Sequence, residues 1–300
     1  MRSWLRSWGI TLFFFFVSGA IIAAYVHKTP YTSRVHDLDG HLEHVDYVYA
    51  RWRVPPATKC WECYQPPAYY MLAAATLAVT HAKPAKDNDR VGSPNVAREN
   101  AAALQWLSGA LALATIAFAR LAVRVVAATP YEQAIASALV VLWPTFTTET
   151  CKLGNDVLVY CFGAASLWLL ASWQKSERPV TIVLAAVMAG AALNAKLNGG
   201  VSALLVVAMV LARALRPPRG KPRLPRGVLV ALGALAVFGG VLADTVIRLK
   251  QGHLGNGTSS LTRVPDHFMN FVRLDLASFR ATPWAFQEGA AHGRDYFWNY

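Results

Sequence analysis

The chain has 300 residues, 55% of them hydrophobic, and a formal net charge of +12. The average would fit a greasy soluble enzyme, but the distribution excludes one: apolar stretches recur at residues 10–26, 67–80, 101–119, 134–143, 157–173, 180–193, 201–215 and 227–243, and several reach or approach the roughly 20 residues that span a hydrocarbon core of about 30 Å. The basic excess does not indicate nucleic acid, because it gathers at the ends of apolar segments and in one link, as membrane topology requires.

The first apolar segment, WGITLFFFFVSGAIIAAYV, follows Arg2 and Arg6. Signal peptides share such a basic flank, but no clear small-x-small cleavage site stands before Tyr25 and the stretch is long enough to span, so it reads as a retained first helix with its N-terminus inside. It delivers the chain to a polar, aromatic-rich outer loop, residues 27–66. There Lys28, Arg34, Arg51, Arg53 and Lys59 mix with Asp37, Asp39, Glu43, Asp46 and Glu62. Within LDGHLEHVDYVYARW, Leu38, Leu42, Val45 and Val48 or Tyr49 recur at three- and four-residue spacing, which predicts a short interfacial helix.

Further along, the link RALRPPRGKPRLPR carries Arg213, Arg216, Arg219, Lys221, Arg223 and Arg226 with no acidic residue, and the positive-inside rule puts it in the cytoplasm. Counting back from it places residues 194–200 outside, QKSER inside and residues 147–156 outside, with Arg120 and Arg124 inside. The forward count from the first helix disagrees by one crossing between residues 66 and 101. Either the short 67–80 segment, opened by Pro66 and Pro67, is re-entrant or interfacial, or 134–143 fails to span. The expected fold is all-α: a polytopic transmembrane helix bundle of about seven or eight hydrophobic segments, whose long first outer loop carries short interfacial helices. The bundle domain is expected over residues 1–247, with an outer polar segment over 248–300.

Acidic residues close to lipid are costly to place and mark functional positions. Asp37, Asp39, Asp46 and Glu62, interspersed with His36, His41 and His44, are the first such group, set against the plainer reading of solvated loop carboxylates. Asn155 and Asp156 open an apolar helix after a later outer loop; helix capping is their plain role, and one can cap while the other faces a cavity. Lys196, between Asn194 and Asn198 at the outer end of a helix, either snorkels or offers its ammonium to a phosphate. Carboxylates that deprotonate an acceptor, together with cations that hold an anionic leaving group, suit group transfer from a lipid phosphate.

Three weaker signals complete the reading. Cys60 and Cys63, in CWEC, are a local disulfide in an oxidising compartment, a metal or redox pair elsewhere, or two free thiols; a zinc site with His41 or His44 lacks diagnostic spacing, so no metal ligand is assigned. Trp4, Trp8, Trp52 and Trp61 read as interface anchors, with a sugar platform as the sharper role for Trp52 and Trp61. Asn256, in NGT, fits a glycosylation sequon.

Taken in order, HDLDGHLEHVDYVYARWRVPP, CWECYQPPAYYMLAAA, LGNDV and NAKLNGG resemble the GT-C class of membrane glycosyltransferases, above all the protein O-mannosyltransferases and the bacterial aminoarabinose transferase, which use polyprenyl-phosphate sugars. The resemblance covers residues 8–215 or so. It implies Asp39 as the catalytic base, with Asp37 second because the spacing in DLDGH does not fix which one matches. Glu62 corresponds to the acidic residue ahead of the Pro pair, and His41, Gln65, Asn155, Asp156 and Lys196 to substrate-binding positions, with Lys196 on the donor phosphate and inversion at the anomeric carbon. The implied partners are a polyprenyl-phosphate-linked sugar donor, a glycan, lipid or protein acceptor and membrane lipids, with no nucleic acid. No cofactor is demanded, a divalent metal being left open. The implied location is a multi-pass protein of the plasma (inner) membrane in a bacterium or of the endoplasmic reticulum in a eukaryote. Members of that class are usually longer, so a truncated or minimal form is expected. Two competing functions stand beside transfer. A transporter or flippase for a lipid-linked or anionic substrate predicts charged or broken helices near the midplane in two related halves, whereas the notable charges here lie at segment ends. The other is an inactive membrane scaffold.

Overall fold

The computed structural model describes residues 2–28, 40–56, 59–60, 62–63, 65–83, 100–127, 129–142, 146 and 152–216, with 229, 232, 233 and 235. The basic link beyond Arg216, the 248–300 segment, Trp61 and the Asn256 sequon lie outside the described residues. The described elements are all helical. In chain order they are α1 (Arg2–Lys28), α2 (Gly40–Arg51), α3 (Ala68–Val79), α4 (Ala101–Val126), α5 (Pro130–Val141), α6 (Asp156–Ser176), α7 (Pro179–Ala195), a 3-10 turn (Leu197–Gly199) and α8 (Gly200–Leu215).

Local chemistry sets several of these ends. Pro67 precedes α3, where a missing N–H costs nothing because the first turn has no partner for it. A full capping box opens α5: the Glu132 backbone N–H donates to the Thr129 hydroxyl (3.2 Å), the Thr129 N–H donates to the Glu132 carboxylate (2.9 Å), and Pro130 fills the first turn. Glu177 stops α6 in the left-handed conformation (φ 54°), and Pro179 then starts α7. Between α7 and α8 the chain approaches itself so closely that a Cβ on Gly199 would sit 2.2 Å from the Ala192 carbonyl oxygen. Only glycine fits there.

Small side chains let the helices pack tightly. On α7, Ile182, Ala185, Ala186, Ala189 and Ala192 form one fully buried face, which brings α6 and α8 against its backbone as in membrane helix pairs generally. The Ser166 hydroxyl of α6 donates across to the Ala185 carbonyl (2.9 Å). A second core joins α1, α2, α3 and α4 through Ile22, Val45, Tyr69 and Leu104 with the start of α6 at Val157 and Leu158.

Contacts along the helices fix the chain's direction. Lys196 reaches Asp156, so the C-terminal end of α7 meets the N-terminal end of α6; Arg213 pairs with Glu177, so α8 ends beside the α6–α7 turn. Helix α4 runs parallel to α6, with Phe118 stacked on Trp168 (5.8 Å between centroids). Gly109 packs on Ile22 and Val26, so α1 ends near where α4 begins. Both α2 and α3 stay at that end: Tyr49 donates to the Ala82 carbonyl, and the Asn100 side chain donates to the Lys83 carbonyl. The return between α4 and α6 starts instead in α5, whose Gln133 meets Arg120, and continues past Phe146, which lies 6.2 Å from the Tyr160 ring. Of the two segments that sequence parity left open, it is 67–80 that fails to traverse the bundle. Length does not separate the two, since α3 and α5 are both 12 residues, about 18 Å at 1.5 Å per residue; the contacts at the helix ends do.

Among the described residues three helices are long and apolar enough to cross a membrane: Ala101–Val126, Asp156–Ser176 and Leu197–Leu215. Leu12–Lys28, Ala68–Val79 and Pro179–Ala195 are shorter apolar helices. Phe13, Phe16, Leu139, Val201 and Leu204 are exposed on this surface, an apolar area that a bilayer covers. The chain is largely helical and membrane-associated. Arg120, Arg124, Lys175, Arg178, Arg213 and Arg216 all fall at the end of the bundle opposite Asp156 and Lys196.

Candidate functional site

Helix α2 forms where its spacing predicts, with Leu42, Val45 and Val48 fully buried. That anchoring turns two histidines toward the neighbouring elements. His41 Nδ1 lies 2.8 Å from the Tyr70 hydroxyl on α3, and a Cβ built on Gly154 would stand 3.6 Å from its Nε2. His44, fully buried, stacks on the Tyr70 ring at 3.4 Å between centroids and an interplanar angle of 12°. Its Nδ1 lies 3.1 Å from the Glu62 carbonyl oxygen; a carbonyl only accepts, so the proton sits on Nδ1. His44 thus holds the loop that carries Glu62.

From Glu62 a buried polar line crosses the bundle. Gln65 Nε2 donates to Glu62 Oε2 (3.0 Å), and Asn155 Nδ2 donates both to Gln65 Oε1 (3.2 Å) and to the Ala195 carbonyl (2.9 Å). Glu62, Gln65 and Asn155 are all buried. The plain capping role is not taken by Asn155, whose side chain makes no cap hydrogen bond to α6. It bridges three segments instead. Its Oδ1 is buried and has no hydrogen-bond partner among the described residues, an arrangement that costs about 1–3 kcal/mol unless a donor reaches it.

Next to Asn155, both Asp156 oxygens accept from Lys196 Nζ, at 2.9 and 3.0 Å. The two side chains keep 30% and 23% of their accessible surface, so the pair is open to an incoming ligand and contributes only about 1 kcal/mol. Asp156 also stands in the first turn of α6, where the helix dipole favours a negative charge. Lys196 therefore does not merely snorkel. It is held at the polar end by a carboxylate.

The fold thus brings together Glu62, Gln65, Asn155, Asp156 and Lys196, and sets His41 beside them through Tyr70 and Gly154. Asp37, Asp39 and His36 lie outside the described residues, and Asp46 is buried on α2 two positions after His44. Sequence reasoning did not single out Tyr70, which touches both histidines, or Tyr69, fully buried beside it. The available signal was two phenols opening an otherwise apolar helix.

Cys60 and Cys63 form a disulfide, with Cα atoms 5.0 Å apart. Among the described residues, these sulfurs and a ring nitrogen of His44 are the group able to hold a metal ion, all lying within 4.8 Å of one another. A disulfide offers no thiolate, so the oxidised pair is a staple and only the reduced pair is a ligand set.

No protein-family model, curated protein or solved structure matches the chain. Fold and site define the class directly: a membrane-associated, largely helical protein with a polar cluster at one end of its bundle and basic residues at the other.

Proposed function

We propose that the protein is a glycosyltransferase that moves a sugar from a polyprenyl-phosphate donor to an acceptor on the non-cytoplasmic side of the membrane. The observation that carries this reading is the buried line Glu62–Gln65–Asn155 set against the Asp156–Lys196 pair. It combines neutral amides suited to sugar hydroxyls with an ammonium suited to a phosphate. In the proposed reaction Asp39, or Asp37 beside it, takes the proton from an acceptor hydroxyl. The acceptor oxygen attacks the anomeric carbon, the bond from that carbon to the phosphate oxygen breaks, and the lipid phosphate leaves with the electron pair. Lys196 compensates the charge on that phosphate, exchanging Asp156 for the donor. Attack opposite the leaving group inverts the anomeric centre.

Gln65 and Asn155 contact the sugar, with a sugar hydroxyl donating to Asn155 Oδ1; Glu62 orients Gln65 and carries the remaining carboxylate. His41 borders the acceptor side. On this reading the protein is a multi-pass membrane protein, of the plasma membrane in a bacterium or of the endoplasmic reticulum in a eukaryote.

The test is turnover by the full chain in lipid vesicles with a panel of polyprenyl-phosphate sugars, following release of lipid phosphate. Asp39→Asn and Lys196→Ala should each lower the rate by about a hundredfold or more with membrane insertion intact. Full activity in both variants would sink the site assignment. No release from any donor by the wild-type chain would sink the reading itself.

A further inference from the structure

At the end of the bundle opposite the polar cluster, two contacts draw the ends of α6 and α8 to one corner. Gln174 Nε2 of α6 donates to Met209 Sδ of α8 (3.5 Å), and one turn further on Arg213 pairs with Glu177 in the α6–α7 turn. Lys175 and Arg178 stand on either side of Glu177 in the chain, and Arg216 follows Arg213 by three residues as the C-cap of α8. Lys175, Arg178 and Arg216 are all exposed. Among the described residues no carboxylate pairs with any of these three. The ten residues beyond Arg216 add Arg219, Lys221, Arg223 and Arg226 to the sequence and no acid.

The side chains just inside this corner are apolar and open. Leu215, beside Arg216, is 80% exposed, and Val180, two positions after Arg178, is 60% exposed; Leu211 and Leu184 are exposed further in. In a membrane-associated chain such a surface belongs in hydrocarbon, which sets the three cations at headgroup depth. The positive-inside rule gives this end to the cytoplasm, and the cytoplasmic leaflet is the one rich in anionic lipids. An acidic protein segment would satisfy the charges but approach from water, away from Leu215 and Val180. A phospholipid satisfies both.

We propose that the corner formed by the α6–α7 turn and the end of α8 is a binding surface for anionic phospholipid of the cytoplasmic leaflet, with phosphates on Lys175, Arg178 and Arg216 and acyl chains against Leu215 and Val180. The surface lies at the far end of the bundle from the polar cluster, so it stands or falls independently of sugar transfer. Its physical consequence is to hold this end of the bundle at the membrane surface by an attraction that salt screens.

The experiment places the full chain in phosphatidylcholine vesicles with one fluorophore on Leu215→Cys, in a background without Cys151 and Cys161. A minor fraction of nitroxide-labelled phosphatidylglycerol or phosphatidylcholine is added as quencher. The anionic lipid should quench with a preference of about fivefold or more, and about 1 M monovalent salt should bring the two lipids together. Lys175→Gln, Arg178→Gln and Arg216→Gln combined should bring them to parity at low salt, with thiol labelling on sealed vesicles confirming an unchanged orientation. Arg216→Gln alone, which leaves the topological charge largely in place, should lower the preference by about twofold or more. If the triple variant inserts the other way, this single variant and the salt series decide. Parity in the wild type would overturn the proposal, and so would a preference indifferent to salt. A preference that persists in the triple variant would overturn it too, assigning the lipid to the link beyond Arg216. Loss of the preference on adding soluble polyglutamate at low ionic strength would reassign the corner to an acidic protein segment.

Discussion

Single side chains decide the polar end of this molecule. Glu62→Gln keeps an acceptor for Gln65 Nε2 while removing the charge, so thermal unfolding in detergent should shift by less than about 1 kcal/mol while sugar transfer falls. A loss of stability as large as that of Asn155→Ala would mean that Glu62 acts through its charge on the fold. Asn155→Ala removes the donor shared by Gln65 Oε1 and the Ala195 carbonyl, and should cost about 1–3 kcal/mol. Neighbouring glycines offer a sharper contrast. Gly199→Ala drives a methyl to 2.2 Å from a backbone oxygen and should destabilise by about 2 kcal/mol or more. At Gly200 the added carbon meets Leu193 Cδ1 at an ordinary 3.5 Å, so Gly200→Ala should leave the unfolding temperature unchanged or slightly raised.

At the level of elements, caps and prolines explain ends that hydropathy places only roughly. Thr129→Ala removes the capping box of α5 and should cost about 1 kcal/mol; an unchanged unfolding curve would show that packing of α5 on α1 and α4, and not its cap, holds it. The α2 stripe of Leu42, Val45 and Val48 was legible because burial on one face imposes helical spacing. Tyr70 was not legible. A phenol in an apolar helix has the same sequence signature whether it anchors an interface or stacks on a histidine 26 positions earlier, as it does here on His44.

Across the whole molecule, the direction of the chain carries the largest consequence. Because α2 and α3 remain at the end where α1 stops and α4 starts, Lys83 and Leu197 should face one side of the membrane and Lys175 the other. Single cysteines at these exposed positions, in a background without Cys151 and Cys161, would report this through an impermeant thiol reagent on sealed vesicles. Labelling of positions 83 and 197 from opposite sides would refute the arrangement. Reduction of the Cys60–Cys63 staple should loosen the Glu62 loop, and a tightly bound zinc equivalent gained only after reduction would identify the His44, Cys60 and Cys63 set as a ligand group.

The sequence by itself determined that the protein is helical and membrane-associated, where its polar elements fall along the chain, and that Arg120, Arg124, Arg178, Arg213 and Arg216 share a side, since each follows from composition and charge read locally. Only the tertiary structure decided which short apolar segment turns back, and that Asn155 bridges Gln65 to Ala195 in place of capping its own helix. It also joined Lys196 to Asp156, 40 positions apart, through bonds of 2.9 and 3.0 Å. The physical reason is common to all three. A local pattern states what a residue needs, a partner or a buried face, while the packing of distant helices determines which group supplies it.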